Sequence, residues 1–144
     1  MTERLRAYVS GPYADERGHF GVALNIHRAE LVAMELRKRG YAVFCPHLNS
    51  AHEDDLVPVQ QFLEEDIEFL KFCDVMFLVP AMPGLKSCRD SRGTKIEIEY
   101  CREHFIPVVQ THLSISTIMI PEEWRYGIRE AVMDEPENEE KLCS

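Results

Sequence analysis

Asp74-Val75-Met76-Phe77-Leu78-Val79-Pro80, followed after a long connection by Ser91-Arg92-Gly93-Thr94-Lys95-Ile96-Glu97, is the stretch on which the fold turns. The run 74–79, apolar without alternation after Asp74, reads as a short strand buried on both faces, as a central parallel strand is. Ser91 then opens a helix whose Glu97 faces back toward the strand end. In an open parallel sheet, ligands gather in the crevice outside the carboxyl ends of the strands. An acid on the helix that follows such a strand is therefore positioned to act on something bound there. The competing reading is an ordinary surface acid near a helix start, which the helix dipole favours.

On either side of this stretch, short apolar runs alternate with longer amphipathic ones, the pattern of a βαβ chain. Residues 5–10 read as a first strand, ending in the turn Gly11-Pro12. A loop over 15–21 follows. Val22, Ile26, Ala29, Ala33 and Leu36 then recur at helical spacing, and Lys38-Arg39-Gly40 supplies a stop. Tyr41-Ala42-Val43-Phe44-Cys45 reads as a second strand closed by Pro46, and 47–56 as a polar loop. Pro58 opens a second helix with Phe62, Ile67, Phe69 and Leu70 as its apolar side; a third spans 93–104. Residues 106–110 form a fourth strand, 111–120 can add a fifth, and Pro121 starts a last helix. The expected fold class is α/β: a three-layer sandwich with a four- to five-stranded parallel sheet, of flavodoxin-like or Rossmann-like type. It forms one domain over 1–133, with a frayed acidic tail over 134–144.

The composition narrows the function classes. A chain of 144 residues supports one domain with a core that needs no disulfide or metal. Net charge is −9, from 25 acids against 16 bases, which argues against a broad nucleic-acid surface. No apolar stretch reaches the ~20 residues that span a bilayer, and the first residues lack the apolar core of a signal peptide. The five cysteines form no C-x-x-C pair, which points to reduced thiols and a cytoplasmic protein.

Three places carry candidate chemistry. At Tyr8-Val9-Ser10-Gly11-Pro12-Tyr13, a glycine after a central strand lets backbone N–H groups and the Ser10 hydroxyl approach a polar ligand. The spacing is neither G-x-G-x-x-G nor a Walker A loop, so dinucleotide and P-loop binding are disfavoured and no cofactor is expected. Asp66 shares a helix face with Phe62, Leu63 and Leu70, the side turned to the sheet, where a carboxylate needs a partner or a job. A solvated acidic face with Glu64 and Glu65 is the alternative. Glu97 and Glu99 project about 200° apart, so only one faces the cleft. Ser91 is placed to cap the helix or to donate to a ligand. His47 and His52 with Asp54 and Asp55 match no metal-ligand spacing.

Taken in order, Tyr8-Val9-Ser10-Gly11-Pro12-Tyr13, Gly40-Tyr41-x-Val43-Phe44-x-Pro46-His47, Asp66-x-Glu68-x-Leu70 with Cys73-Asp74, and Ser91-x-Gly93-x-x-x-Glu97 resemble the nucleoside 2-deoxyribosyltransferase-like superfamily. That superfamily also holds the 2′-deoxynucleoside 5′-phosphate N-hydrolases, and the likeness covers about residues 5–110. It implies that Glu97 is a nucleophile toward the anomeric carbon, that Asp66 assists departure of the base, and that Tyr8 or Tyr13 lies beside the sugar. Ser10, Gly11, His47, Ser91, Arg92 and Gly93 would line the substrate. The transferase branch carries an Asp where this chain has Ser91, which tips the comparison toward a nucleotide-type pocket. Relatives complete the site with a neighbouring subunit, so a homodimer or larger homo-oligomer is expected, with 114–120 as the contributing segment.

The resemblance implies cleavage or transfer of an N-glycosidic bond in a nucleoside or its 5′-monophosphate. Hydrolase and transferase stay open, since water or a second base can resolve the intermediate. Lys86, Arg89 and Arg92 are candidates to hold a phosphate, or are plain loop charges. The rival reading is a nucleotide-sensing module of the same fold without activity. A flavodoxin-like electron carrier is weaker, because no Ser- and Thr-rich phosphate loop follows the first strand.

Overall fold

The computed structural model describes residues 3–51 and 53–128. Its central sheet has four parallel strands in the order β2-β1-β3-β4: β1 (Arg6–Ser10), β2 (Ala42–Phe44), β3 (Val75–Leu78) and β4 (Val108–Gln110). All four residues of β3 are buried, as an inner strand covered on both faces requires. Its register sets Tyr8 beside Met76 and Ser10 beside Leu78.

Strand alternation divides the core into two layers. Ala7, Val9, Val75, Phe77 and Val109 face one way and pack on α1 (His19–Lys38). Tyr8, Met76 and Leu78 face the other, with Leu70 of α3 (Val59–Leu70) and Cys101 of α4 (Arg92–Glu103). The three-layer α/β sandwich read from the sequence is the fold observed. Chain direction across the sheet reverses between β1 and β3, and the crevice at that switch is where open α/β folds bind ligands.

Local sequence explains the ends of these elements. The stop at Gly40 is a Schellman motif: the Tyr41 N–H bonds to the Leu36 carbonyl and the Gly40 N–H to that of Arg37. Gly40 sits at φ 94°, where a β-carbon is strained, and that carbon would also press on Ile128. Ser91 caps α4, its Oγ accepting the Thr94 N–H at 3.2 Å.

Three expectations are corrected. Residues 111–120 do not add a fifth parallel strand. They form an antiparallel hairpin, β5 (His112–Ser114) with β6 (Thr117–Met119), as a separate two-stranded sheet. Only Thr111 separates β4 from β5, whereas a parallel neighbour needs a crossover of about a dozen residues. The 47–56 loop begins instead with a short helix, α2 (Pro46–Asn49), started by a proline where its missing N–H is harmless. The helix expected from Pro121 is one 3-10 turn, Glu122–Trp124, after which Ile128 bridges to Arg4. The acidic tail at 134–144 lies outside the described residues.

Candidate active site

Gly11 leaves β1 directly against Val79, which follows β3: a β-carbon on Gly11 would lie 2.5 Å from a Val79 methyl. This contact lies at the switch point, where Gly11 borders the crevice. A cavity of about 390 Å³ fills it, within the range of small-molecule sites. Gly11, Tyr13, His47, Asp66, Ser91, Arg92, Gly93 and Glu97 all line it, drawn from α2, α3, α4 and the loop after β1. Its apolar wall includes Val22, Val59, Phe62 and Leu63.

Glu97 is 6% exposed. Tyr8 donates its hydroxyl to Oε2, and Ser10 Oγ donates to Oε1 at 2.5 Å. Burial pushes the Glu97 carboxyl up to about 7, against the two hydroxyls, which favour the anion. Glu99 points away and pairs with Arg102 at 3.0 Å on the exposed side, so the 200° argument holds. Asp66 is also pushed up to about 7, by burial first and then by the Glu97 and Glu65 charges. Its Oδ1 is buried without a partner among the described residues. The two acids therefore sit in unlike settings. Glu97 has donors that stabilise its charge, whereas Asp66 has none on its buried oxygen and feels the charge of Glu97. The two hydroxyls thus favour the anion at Glu97, and the Glu97 charge favours the protonated form of Asp66.

Tyr8 and Ser10 are 0% and 1% exposed and stand behind Glu97, not on the cavity wall. Strand alternation is the reason: both side chains leave β1 on the α4 face, where Glu97 meets them. Burial first, and the Glu97 and Asp66 charges after it, hold the Tyr8 phenol well above its ordinary range, which keeps it a donor.

His47 is buried, its Nε2 2.8 Å from the Pro12 carbonyl. A carbonyl only accepts, so Nε2 carries the proton. Burial depresses the imidazole pKa, which favours the neutral ring. Tyr13 donates its hydroxyl to Asp54 at 2.6 Å, and its ring lies 5.7 Å from that of His47. Lys86 and Arg92 line the cavity; Arg89, in the 3-10 turn Cys88–Asp90, does not. Among the described residues no His, Cys, Asp or Glu cluster is arranged to hold a metal ion. His52 lies outside them. Among the described residues no helix is long and apolar enough to cross a membrane.

Two residues near the site escaped the sequence reading. Asn25 and Arg28, each 1% exposed, lie on the buried face of α1. The available signal was phase: Gly21, Asn25, Arg28 and Val32 follow the same helical stripe as Ala29, Ala33 and Leu36.

No protein-family model matches the chain, and no curated protein matches it. Among solved structures, it is similar to a 2-deoxyribosyltransferase from the psychrotolerant bacterium Bacillus psychrosaccharolyticus. The two share 22% identity over 74% of this chain and 72% of that one, with a TM-score of 0.51. The cavity and its two acids are thus carried on the fold of a 2-deoxyribosyltransferase.

Proposed function

We propose that this protein is an enzyme that cleaves or transfers the N-glycosidic bond of a (deoxy)nucleoside or its 5′-monophosphate. The observation that carries the reading is the pair Glu97 and Asp66, two carboxyls of opposite environment in one cavity. Breaking the bond between the anomeric carbon and the base develops oxocarbenium character, which an adjacent carboxylate stabilises and traps. Glu97, as the anion, attacks the anomeric carbon and forms a sugar ester as the carbon–nitrogen bond breaks. Asp66 gives its proton to the departing base. Water or a second base then attacks the ester and frees Glu97, while Asp66 recovers a proton.

The fold shared with an enzyme named as a 2-deoxyribosyltransferase supports this reading by analogy. The cavity's two cations, Lys86 and Arg92, support the monophosphate version. We read the protein as a homodimer or larger assembly, supported by the apolar surface of its hairpin: Ile115 is 99% exposed and Met119 52%.

The test is base release from a panel of nucleosides, deoxynucleosides and their 5′-monophosphates, followed by chromatography, with and without a second base as acceptor. Release of free base with water alone assigns a hydrolase; release that requires the acceptor assigns a transferase. Binding of panel members by calorimetry without any release would replace the enzyme with a sensing module. Tighter binding of monophosphates than of nucleosides, erased by Arg92→Ala, is the expected mark of a phosphate site.

A further inference from the structure

We infer that Asn25 and Arg28, one turn apart on α1, are a positioning pair that sets the separation of two cavity walls. Asn25 Nδ2 donates to the Tyr13 carbonyl at 3.0 Å, fixing the loop after β1. Arg28 Nη2 donates to Asn25 Oδ1 at 3.1 Å and to the Lys86 carbonyl at 2.8 Å, and Nη1 reaches the Pro80 carbonyl at 3.4 Å. One helix face thus clips the loop carrying Tyr13 to the loop carrying Lys86. Both of those residues line the cavity, and neither Asn25 nor Arg28 does.

The charge of Arg28 makes a purely structural role a poor account. Its guanidinium is buried with no carboxylate within ion-pair distance among the described residues, and Nε has no partner there. Asp15, whose charge it feels, is engaged by Arg17 at 2.9 Å. Burying such a cation is costly, and apolar replacements of buried charges are often neutral or stabilising. What an apolar side chain cannot do is hold an oxygen of α1 and two carbonyls of the connection after β3 in one planar fork. Glu97, by contrast, is held from β1 by Tyr8 and Ser10 and owes nothing to Arg28. Loss of the clip should therefore loosen substrate placement and leave the chemical groups in order.

Its kinetic part rests on the function proposed above; its exchange part does not. Arg28→Met, Arg28→Lys and Asn25→Ala would be compared with the wild type by amide hydrogen exchange, thermal melting and steady-state base release. For Arg28→Met we expect exchange to rise by about tenfold or more over 80–90, with the rest of the protein unchanged. For Asn25→Ala the rise should fall on 13–17. With a substrate from the panel, KM should increase by about tenfold while kcat stays within about threefold, and the pH profile should keep its position. Arg28→Lys retains the charge yet presents a single nitrogen, and should behave like Arg28→Met; it also serves should the latter not fold. Exchange at both loops within twofold of wild type, or acceleration spread over the whole protein with a lowered melting temperature, overturns the proposal. So does a fall in kcat without a rise in KM. Absence of any base release from the wild type would instead defeat the proposed function, and the exchange result would still decide the clip.

Discussion

Glu97 illustrates how a few atoms select one carboxyl for one task. Tyr8 and Ser10 supply its two hydrogen bonds, and burial lifts it to about 7, where it is still ionised for a large share of the time at neutral pH. Glu97→Gln should abolish base release while the melting temperature stays at or above the wild-type value; retention of more than a few per cent of the rate would refute the assignment. Glu99→Gln, on the exposed side, is the matched control and should leave the rate unchanged. The same residue makes a stability prediction. Its folded pKa of about 7 exceeds the ordinary 4.5, so the folded protein binds more protons than the unfolded one between those values. Its contribution is complete below about 4.5 and is lost as pH rises to 7, a decline on the order of 2–3 kcal/mol for one group. Denaturant titrations at pH 4.5, 6 and 7.5 should show stability falling across that window, with a shallower slope in Glu97→Gln. The proposed mechanism uses Glu97 ionised and Asp66 protonated, and on it activity should peak near neutrality. Tyr8→Phe removes a donor to the Glu97 anion and should move the acidic limb of that profile to higher pH.

At the level of elements, the crevice lies where chain direction reverses between β1 and β3, and just past their carboxyl ends Gly11 packs directly on Val79. A methyl on Gly11 would overlap the Val79 side chain, 2.5 Å from Cγ2 and 2.9 Å from Cγ1. Gly11→Ala should therefore cost about 1–3 kcal/mol by denaturant unfolding, the usual toll of overpacking. Val79→Ala in the same chain removes both offending methyls and should recover much of that loss. If the double variant is as unstable as the sum of the two singles, the clash at this point is not the cause. On the other side of the cavity, Gly93 brings α4 against Leu63 of α3, its absent β-carbon standing 3.2 Å from Leu63 Cδ2.

For the whole molecule, the hairpin β5–β6 poses the question of assembly. It inserts Ile118 into the core packed on α1, leaving Ile115, Leu113 and Met119 on the surface. A closed homo-oligomer that covers this surface is the expected state at micromolar concentration, measured by light scattering. Ile115→Lys, at a fully exposed position, should shift that species to monomer without lowering the melting temperature. A wild-type protein that is strictly monomeric would refute the assembly.

The sequence by itself determined the three layers, the central position of residues 75–79, the stop at Gly40 and that only one of Glu97 and Glu99 turns inward. Each of these follows from local rules: an unbroken apolar run, a glycine at a left-handed position, a helical period of 100° per residue. Tertiary structure decided the rest. That Tyr8 and Ser10 stand behind Glu97 depends on the face of β1 that α4 covers, which strand alternation alone does not name. The hairpin at 111–120 depends on the single residue between it and β4, and its apolar composition reads equally well as a parallel strand. Asn25 and Arg28 are polar residues buried by the loops that close over them. A pattern that equates buried with apolar passes over such positions, because beyond the Asn25–Arg28 contact their partners are backbone carbonyls of distant loops, which only the fold brings near.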